Sequence, residues 1–270
     1  MKGQFPPEID MTTPSIARMY DYLLKGKDNF ACDRTAIDAM TEDLPEVVAL
    51  ALDNRAYLGR AVNYVARETG VSQFLDLGAG LPTAENTHQI VQRAVPGARV
   101  VYVDNDPIVL AHGRAILADN PATTVITADI RDPETILTSS KTTELIDFDR
   151  PVCVMLVSLL HCIPDADDPF GIVERLFERL VPGSYLVYSH IVSDDEEVAR
   201  DLTERVHAEG TEWGRVRSPE EAARVFDRLK VVEPGQVECS TWRHPHRMPS
   251  RTPHDPTHRL WEHAGVGYKP

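Results

Sequence analysis

Phe74-Leu75-Asp76-Leu77-Gly78-Ala79-Gly80-Leu81-Pro82-Thr83 is the stretch on which the fold turns. A short apolar run breaks into glycines and is followed by a helical pattern over 84–94, in which Ile90, Val91 and Ala94 recur on one side. A strand therefore hands over to a helix through a glycine turn. Glycines there let the backbone approach a ligand closely and leave helix N–H groups aimed at it. The alternation continues downstream: apolar runs at 99–104, 125–129, 152–157 and 184–189 are separated by periodic stretches such as Ile172, Val173, Leu176 and Leu180. Runs that are apolar nearly throughout read as strands covered on both faces, and the βαβ order predicts an α/β fold with a mostly parallel sheet.

Acids stand where these strands end. Asp76 precedes the first glycine by two residues, and Asp104 closes the next run. A carboxylate at the second strand's end accepts two hydrogen bonds from a ribose diol and repels a 2′-phosphate. Asp129 follows the third run, placed to accept from an adenine amino group while Ile130 packs on the ring, although 129–133 also reads as an ordinary turn and helix start. A dinucleotide site would want a third glycine three residues after Gly80; that position is Thr83, so the pyrophosphate fingerprint fails. Three strand-end acids around a glycine turn suit a ligand with ribose, adenine and positive charge but no phosphate, and S-adenosylmethionine has that description.

On each side of this core the pattern changes. In the first 70 residues Ile16, Met19, Tyr20 and Leu23 keep helical spacing, as do Ala56, Leu58, Val62 and Val65, so two amphipathic helices are expected there. Between them, 25–30 (Lys-Gly-Lys-Asp-Asn-Phe) reads as a plain turn or as a loop presenting contacts to a ligand. Ser218-Pro219-Glu220-Glu221 combines an N-cap, a proline at the first helical position and a glutamate three after the cap, which predicts a helix start. The following 230–237 and the final 265–268 read as two late strands, with Pro234 interrupting the first. Prolines and histidines from Arg243 onward predict a loop joining them, and His244-x-His246 is expected to be solvated rather than metal-bound.

With these residues noted, the chain resembles the class I methyltransferases, and more closely a bacterial family of S-adenosylmethionine-dependent methyltransferases. The likeness runs over nearly the whole chain, through 14–24, Gly26-Lys27-Asp28-Asn29-Phe30, Asn54-Arg55, 74–83, 100–107, 145–151, 160–165, 182–190 and 265–270. Lys25 departs from a double glycine before Lys27, and Pro82 stands for the third glycine of the broader loop. The resemblance implies a Rossmann-like sheet of seven strands, mostly parallel with the last antiparallel, and an N-terminal helical cap: residues 1–70 as a lid belonging to the same domain, 71–270 as the cofactor-binding body. It implies that Gly78, Ala79 and Gly80 hold the methionine part, with Asp76, Asn105 and Ser158 also at the cofactor. From the cap, Lys27, Asn29 and Arg55 would reach the methionine carboxylate or the acceptor, and Tyr20, Tyr22 and Phe30 would wall the pocket. His161, after the fourth strand, reads as a general base, a positioning group, or a packed strand-end residue.

Composition narrows the class. The 270 residues carry 28 Lys and Arg against 42 Asp and Glu, a net charge of −14 that repels phosphate backbones and anionic membranes, so neither nucleic acid nor membrane is an expected partner. No run approaches a membrane span, and the start has no apolar export segment, so a cytoplasmic location is expected. The four cysteines lie far apart and read as free thiols, with no metal expected. The predicted function is in-line methyl transfer from S-adenosylmethionine to a small-molecule acceptor; a noncatalytic cofactor-binding sensor is the alternative.

Overall fold

A computed structural model describes residues 10–83, 85–116, 120–211, 213–244 and 259–270. The chain begins with α1 (Ile16–Leu23), α2 (Ala31–Asp43) and α3 (Glu46–Tyr64) before entering the sheet at β1 (Gln73–Leu77). There follow α4 (Thr87–Ala94), β2 (Arg99–Asp104), α5 (Pro107–Ile116), β3 (Thr123–Thr127), α6 (Pro133–Thr138), α7 (Ser140–Leu145) and β4 (Cys153–Val157). Then come α8 (Pro169–Glu178), β5 (Tyr185–Val192), α9 (Glu196–Ala208), α10 (Pro219–Ala223), β6 (Lys230–Val231), β7 (Val237–Glu238) and β8 (Trp261–Tyr268). Every residue of β1 is buried, as a strand with helices on both faces requires.

The sheet order is β3-β2-β1-β4-β5-β8-β6, with β7 also paired to β8. Strands β1 to β5 pair in parallel, and β8 runs antiparallel to β5 from Tyr185↔Tyr268 to Val192↔Trp261. The seven expected places are all filled, but by eight strands. The sixth place is divided between β6, which pairs with Tyr268 and Gly267, and β7, which pairs with Ala264 and His263. Pro234 lies in the gap and brings no N–H to a ladder. The final strand is longer than its expected 265–268. Gly265 and Gly267 in it lie under Phe226, whose ring would stand 2.8 Å from a Cβ on Gly267, so the small residues are what lets α10 and its continuation pack on the sheet.

Two further expectations shift. The helix after the glycine turn begins at Thr87 rather than 84, because Asn86 caps it in a reciprocal pair with Gln89; its N–H groups are thus separated from Gly80 by a loop. His263 belongs to β8, buried with Nε2 on Gln236 at 2.7 Å, not to a solvated loop. His246 and most of the proline-rich stretch fall outside the described residues. The capping box at Ser218 is present, with the Glu221 N–H on its hydroxyl at 3.2 Å.

The N-terminal helices divide their packing. From α3, Tyr57, Leu58, Ala61 and Val62 join the apolar face of β1, β2 and β4, and the Tyr57 hydroxyl donates to the Tyr188 and Gly265 carbonyls between β5 and β8. From α1 and α2, Met19, Leu23, Ile37 and Met40 instead meet Leu202 and Val206 of α9 and Trp213. These two layers leave a hollow between the cap and the C-terminal ends of the strands.

Candidate functional site

A cavity of about 480 Å³ fills that hollow, at the ends of β1, β2 and β4 beneath α1 and α3. Chain order in the sheet reverses between β1 and β4, and open α/β sheets place their ligands at such a switch point. Asp76, Gly78, Ala79, Gly80, Asp104, Asn105, Asp129, Ile130, Ser158 and His161, all singled out from the sequence, line this one cavity.

The glycine turn is tied to β2. Gly78 and Ala79 donate to the Val103 carbonyl at 2.8 and 3.1 Å. Gly78 holds φ +68° with Leu159 so near that a Cβ would stand 2.5 Å from its Cδ1. At Gly80, φ is +64°, yet a Cβ there would meet nothing within 4 Å. The space above Gly80 is therefore cavity. Its N–H donates to the Asp104 carboxylate, whose other oxygen accepts from the Asp106 N–H at 2.9 Å, and burial still pushes that carboxyl above its ordinary range.

Asp76 is buried and accepts from the Thr87 hydroxyl at 2.7 Å; burial raises its carboxyl to about 6, offset in part by the Arg55 charge. Arg55 comes from α3 and hydrogen-bonds Thr83 Oγ1 and the Glu85 carbonyl, so the cap is joined to the loop after the glycines. Asp129 differs from the other two acids. Arg131 clasps it, Nη2 to Oδ2 at 2.6 Å and Nε to Oδ1 at 3.0 Å, and holds its carboxyl below the usual range; Asn105 adds a side-chain hydrogen bond. Ile130 is buried beside it.

His161 is buried in the short turn after β4. Its Nδ1 accepts from the Ile191 N–H at 3.3 Å, which places the proton of the neutral ring on Nε2. Burial and the Arg217 charge press its pKa down to about 3. A ring in that state donates a hydrogen bond and is a poor proton acceptor.

The cap residues separate into two groups. Tyr20 and Arg55 line the cavity; Tyr22, Lys27, Asn29 and Phe30 do not. Tyr22 points to α2 and donates to Asp38 at 3.0 Å, Lys27 is exposed, and Phe30 packs against Leu81, Ile108 and Val109 with the Arg18 guanidinium 4.8 Å over its ring. Asn29 is turned inward, its amide donating to Asp21 Oδ2 at 2.8 Å, which also accepts from the Asp28 N–H at 2.9 Å. The 25–30 segment therefore folds around its own carboxylate as a plain turn, and Gly26 passes so close to Asp21 that a Cβ would be 1.9 Å from Oδ1.

Several lining residues escaped the sequence reading. Asp21, Asn54, Arg131 and Glu262 line the cavity, as do apolar side chains from α1, α2, α3 and α9. Asn54 Oδ1 accepts from Ser189 Oγ at 2.6 Å while its amide donates to the Tyr20 hydroxyl at 3.0 Å. Ser158 donates its hydroxyl to Glu262 at 2.6 Å. Glu262 gives no signal of its own, because the last strand is expected only over 265–268 and the structure starts it at Trp261. Among the described residues, no cluster of three or more His, Cys, Asp or Glu forms a metal-binding group, and no helix is long and apolar enough to cross a membrane.

The residues at the sheet end fit S-adenosylmethionine on the structure's own terms, with open space above Gly80, lone pairs left on Asp104 and a buried acid at Asp76. Sheet order, switch-point cavity and strand-end acids together define a class I S-adenosylmethionine-dependent methyltransferase. The chain belongs to the S-adenosyl methyltransferase family, which it matches over residues 2–270. It is similar to the solved structure of a proposed methyltransferase from Thermobifida fusca, with 42% identity over 98% of both chains and a TM-score of 0.87. A DUF574 family protein from Streptomyces avermitilis is 36% identical over 97% of this chain and 99% of that one, with a TM-score of 0.86. A carboxy-S-adenosyl-L-methionine synthase from Vibrio parahaemolyticus is 24% identical over 183 residues, 65% of this chain and 67% of that one.

Proposed function

We propose that this methyltransferase acts on a small-molecule acceptor held in the same cavity as its cofactor, under the N-terminal helices. The observation that carries this reading is continuity: one cavity of about 480 Å³ is lined by Asp76, Asp104 and Asp129 at the strand ends and by α1, α2, α3 and α9 opposite them. That volume is within the range of small-molecule sites, roughly 300–1,000 Å³. Asp104 accepts from the ribose hydroxyls, and Ile130 with Asp129 and Asn105 bounds the adenine. The Gly78–Gly80 backbone lies along the methionine part, its ammonium toward Asp76 and its carboxylate toward Arg55.

The bound cofactor supplies a methyl group already activated by its sulfonium. What remains for the chain is alignment and exclusion of water, because the leaving thioether departs neutral. His161, neutral with its proton on Nε2, is a positioning residue that donates into the cavity. Calorimetry tests the reading: S-adenosylmethionine and S-adenosylhomocysteine should bind in the micromolar range, and NAD should not. Failure of both adenosyl ligands to bind the folded protein would overturn it.

A further inference from the structure

Glu262 is 1% exposed, stands near the start of β8 opposite Ile191 of β5, and lines the cavity. Burying a carboxylate is costly unless its oxygens are satisfied. One oxygen accepts from the Ser158 hydroxyl, but Oε2 has no hydrogen-bond partner, and among the described residues no Lys, Arg or His forms an ion pair with it. Ser158, which supports Oε1, holds φ +55°, a left-handed conformation that a non-glycine residue adopts at a cost. The groups facing Glu262 from other elements are Ser189 of β5, whose hydroxyl favours the charged form, the Tyr188 hydroxyl of the same strand, the Tyr20 hydroxyl of α1, and the Cys162 and Cys239 thiols. Ile191, directly across from Glu262, packs with Met19, Leu23 and Met40 of the cap and with Leu202 and Val206 of α9, so Glu262 stands where the sheet end meets the cap.

Beyond it the cavity changes character. On the cap side the wall is Leu23, Met40, Val47, Leu202, Val206 and Trp213, and α2 and α9 contribute apolar side chains only. The apolar compartment thus meets the buried Glu262 carboxylate with its unused Oε2, whereas the carboxylate of Asp21 on α1, which also lines the cavity, is engaged by the Asp28 N–H and the Asn29 amide. An ionised carboxylate only accepts hydrogen bonds, so its natural partner carries a proton.

Resting on the cofactor placement above, we infer that the methyl acceptor is an apolar molecule whose accepting atom bears a hydrogen, an O–H or N–H group, and that Glu262 Oε2 takes that proton. The acceptor's lone pair forms the new bond to the methyl carbon as the carbon–sulfur bond breaks, its electron pair stays on sulfur, and the proton moves from the accepting atom to Oε2. Burial raises the Glu262 carboxyl to about 7, near where a general base is most effective at neutral pH.

Straight-chain probes test this in the full-length protein saturated with S-adenosylhomocysteine. Trp213 in the apolar wall serves as a fluorescence reporter, with calorimetry as the second readout. 1-Octanol should bind at least tenfold more tightly than octanoate or 1-methoxyheptane. Affinity for the favoured head group should rise about threefold to fourfold per methylene from four to eight carbons. Glu262→Gln should keep S-adenosylhomocysteine binding and reduce the head-group preference below threefold. Equal binding of the ether, a flat chain-length series in the wild-type protein, or an unchanged preference in Glu262→Gln would overturn the inference. If S-adenosylhomocysteine itself does not bind, the cofactor placement has failed instead.

Discussion

The Gly80 N–H donates to the Asp104 carboxylate at 2.9 Å, joining the turn after β1 to the acid that ends β2. Two backbone N–H groups, from Gly80 and Asp106, fix both oxygens of that acid while leaving each a second lone pair. The acid is thus held in place before a ligand arrives, and little side-chain freedom remains to be lost on binding.

Removing that carboxylate should show in affinity. In Asp104→Ala two charge-assisted contacts to a ribose diol disappear, and S-adenosylmethionine binding should weaken by roughly 1.5–3 kcal/mol. Calorimetry on a variant whose far-ultraviolet dichroism matches the parent checks this. An unchanged dissociation constant would mean that the ribose lies away from β2.

Gly80 separates two costs. A valine there must adopt positive φ, at roughly 1–2 kcal/mol, but its Cβ meets no protein atom within 4 Å because the space it enters is cavity. Gly80→Val should therefore lower the melting temperature only modestly and abolish cofactor binding. A stable Gly80→Val protein with parental affinity would leave Gly80 as a turn glycine with no ligand beside it.

Asp76 gives a pH signature. Its folded carboxyl titrates at about 6, above the ordinary 3.8, because burial penalises the charged form. The folded protein therefore holds a proton that the unfolded chain has lost between about pH 4 and 6, and this group's contribution to stability declines as pH rises through that window. Buried His161 and His190 act in the opposite direction on acidification, so the quantity to follow is the difference in melting temperature between the parent and Asp76→Asn. That difference should move against the parent as pH rises from 4 to 6, and should flatten at saturating S-adenosylmethionine, whose ammonium favours the carboxylate. A difference independent of pH without ligand would contradict the burial of Asp76 as described.

Strand-end chemistry was legible because a parallel sheet converts sequence position into place: each βα turn emerges at the same end, so Asp76, Gly80, Asp104 and Asp129 had to converge. Residues that reach the cavity from one turn of a helix or from the far strand were not legible. Asn54 and Glu262 are 208 positions apart and are joined through Ser189 and Ser158, a connection that depends on β8 being inserted beside β5. The 25–30 segment kept two readings open for a local reason. Its Lys, Asn and Phe are residue types that suit a ligand, but Asp21, one helical turn earlier, captures the polar groups first.

That capture gives the cap a test. Asn29→Ala removes a buried amide that serves Asp21, Arg34 and the Gly26 carbonyl, so it should cost about 1–3 kcal/mol of stability while changing S-adenosylmethionine affinity less than threefold. Arg55→Ala should do the reverse: its side chain lines the cavity and joins α3 to Thr83, so affinity should fall at least tenfold with a smaller loss in melting temperature. Hydrogen exchange resolves the two regions in one experiment. Ligand should slow amide exchange in α1 and around Arg55, which face the cavity, and leave 26–30 nearly unchanged, because those N–H groups are screened by their own turn. Strong ligand-induced protection of 26–30, together with a large affinity loss in Asn29→Ala, would return that segment to the binding site.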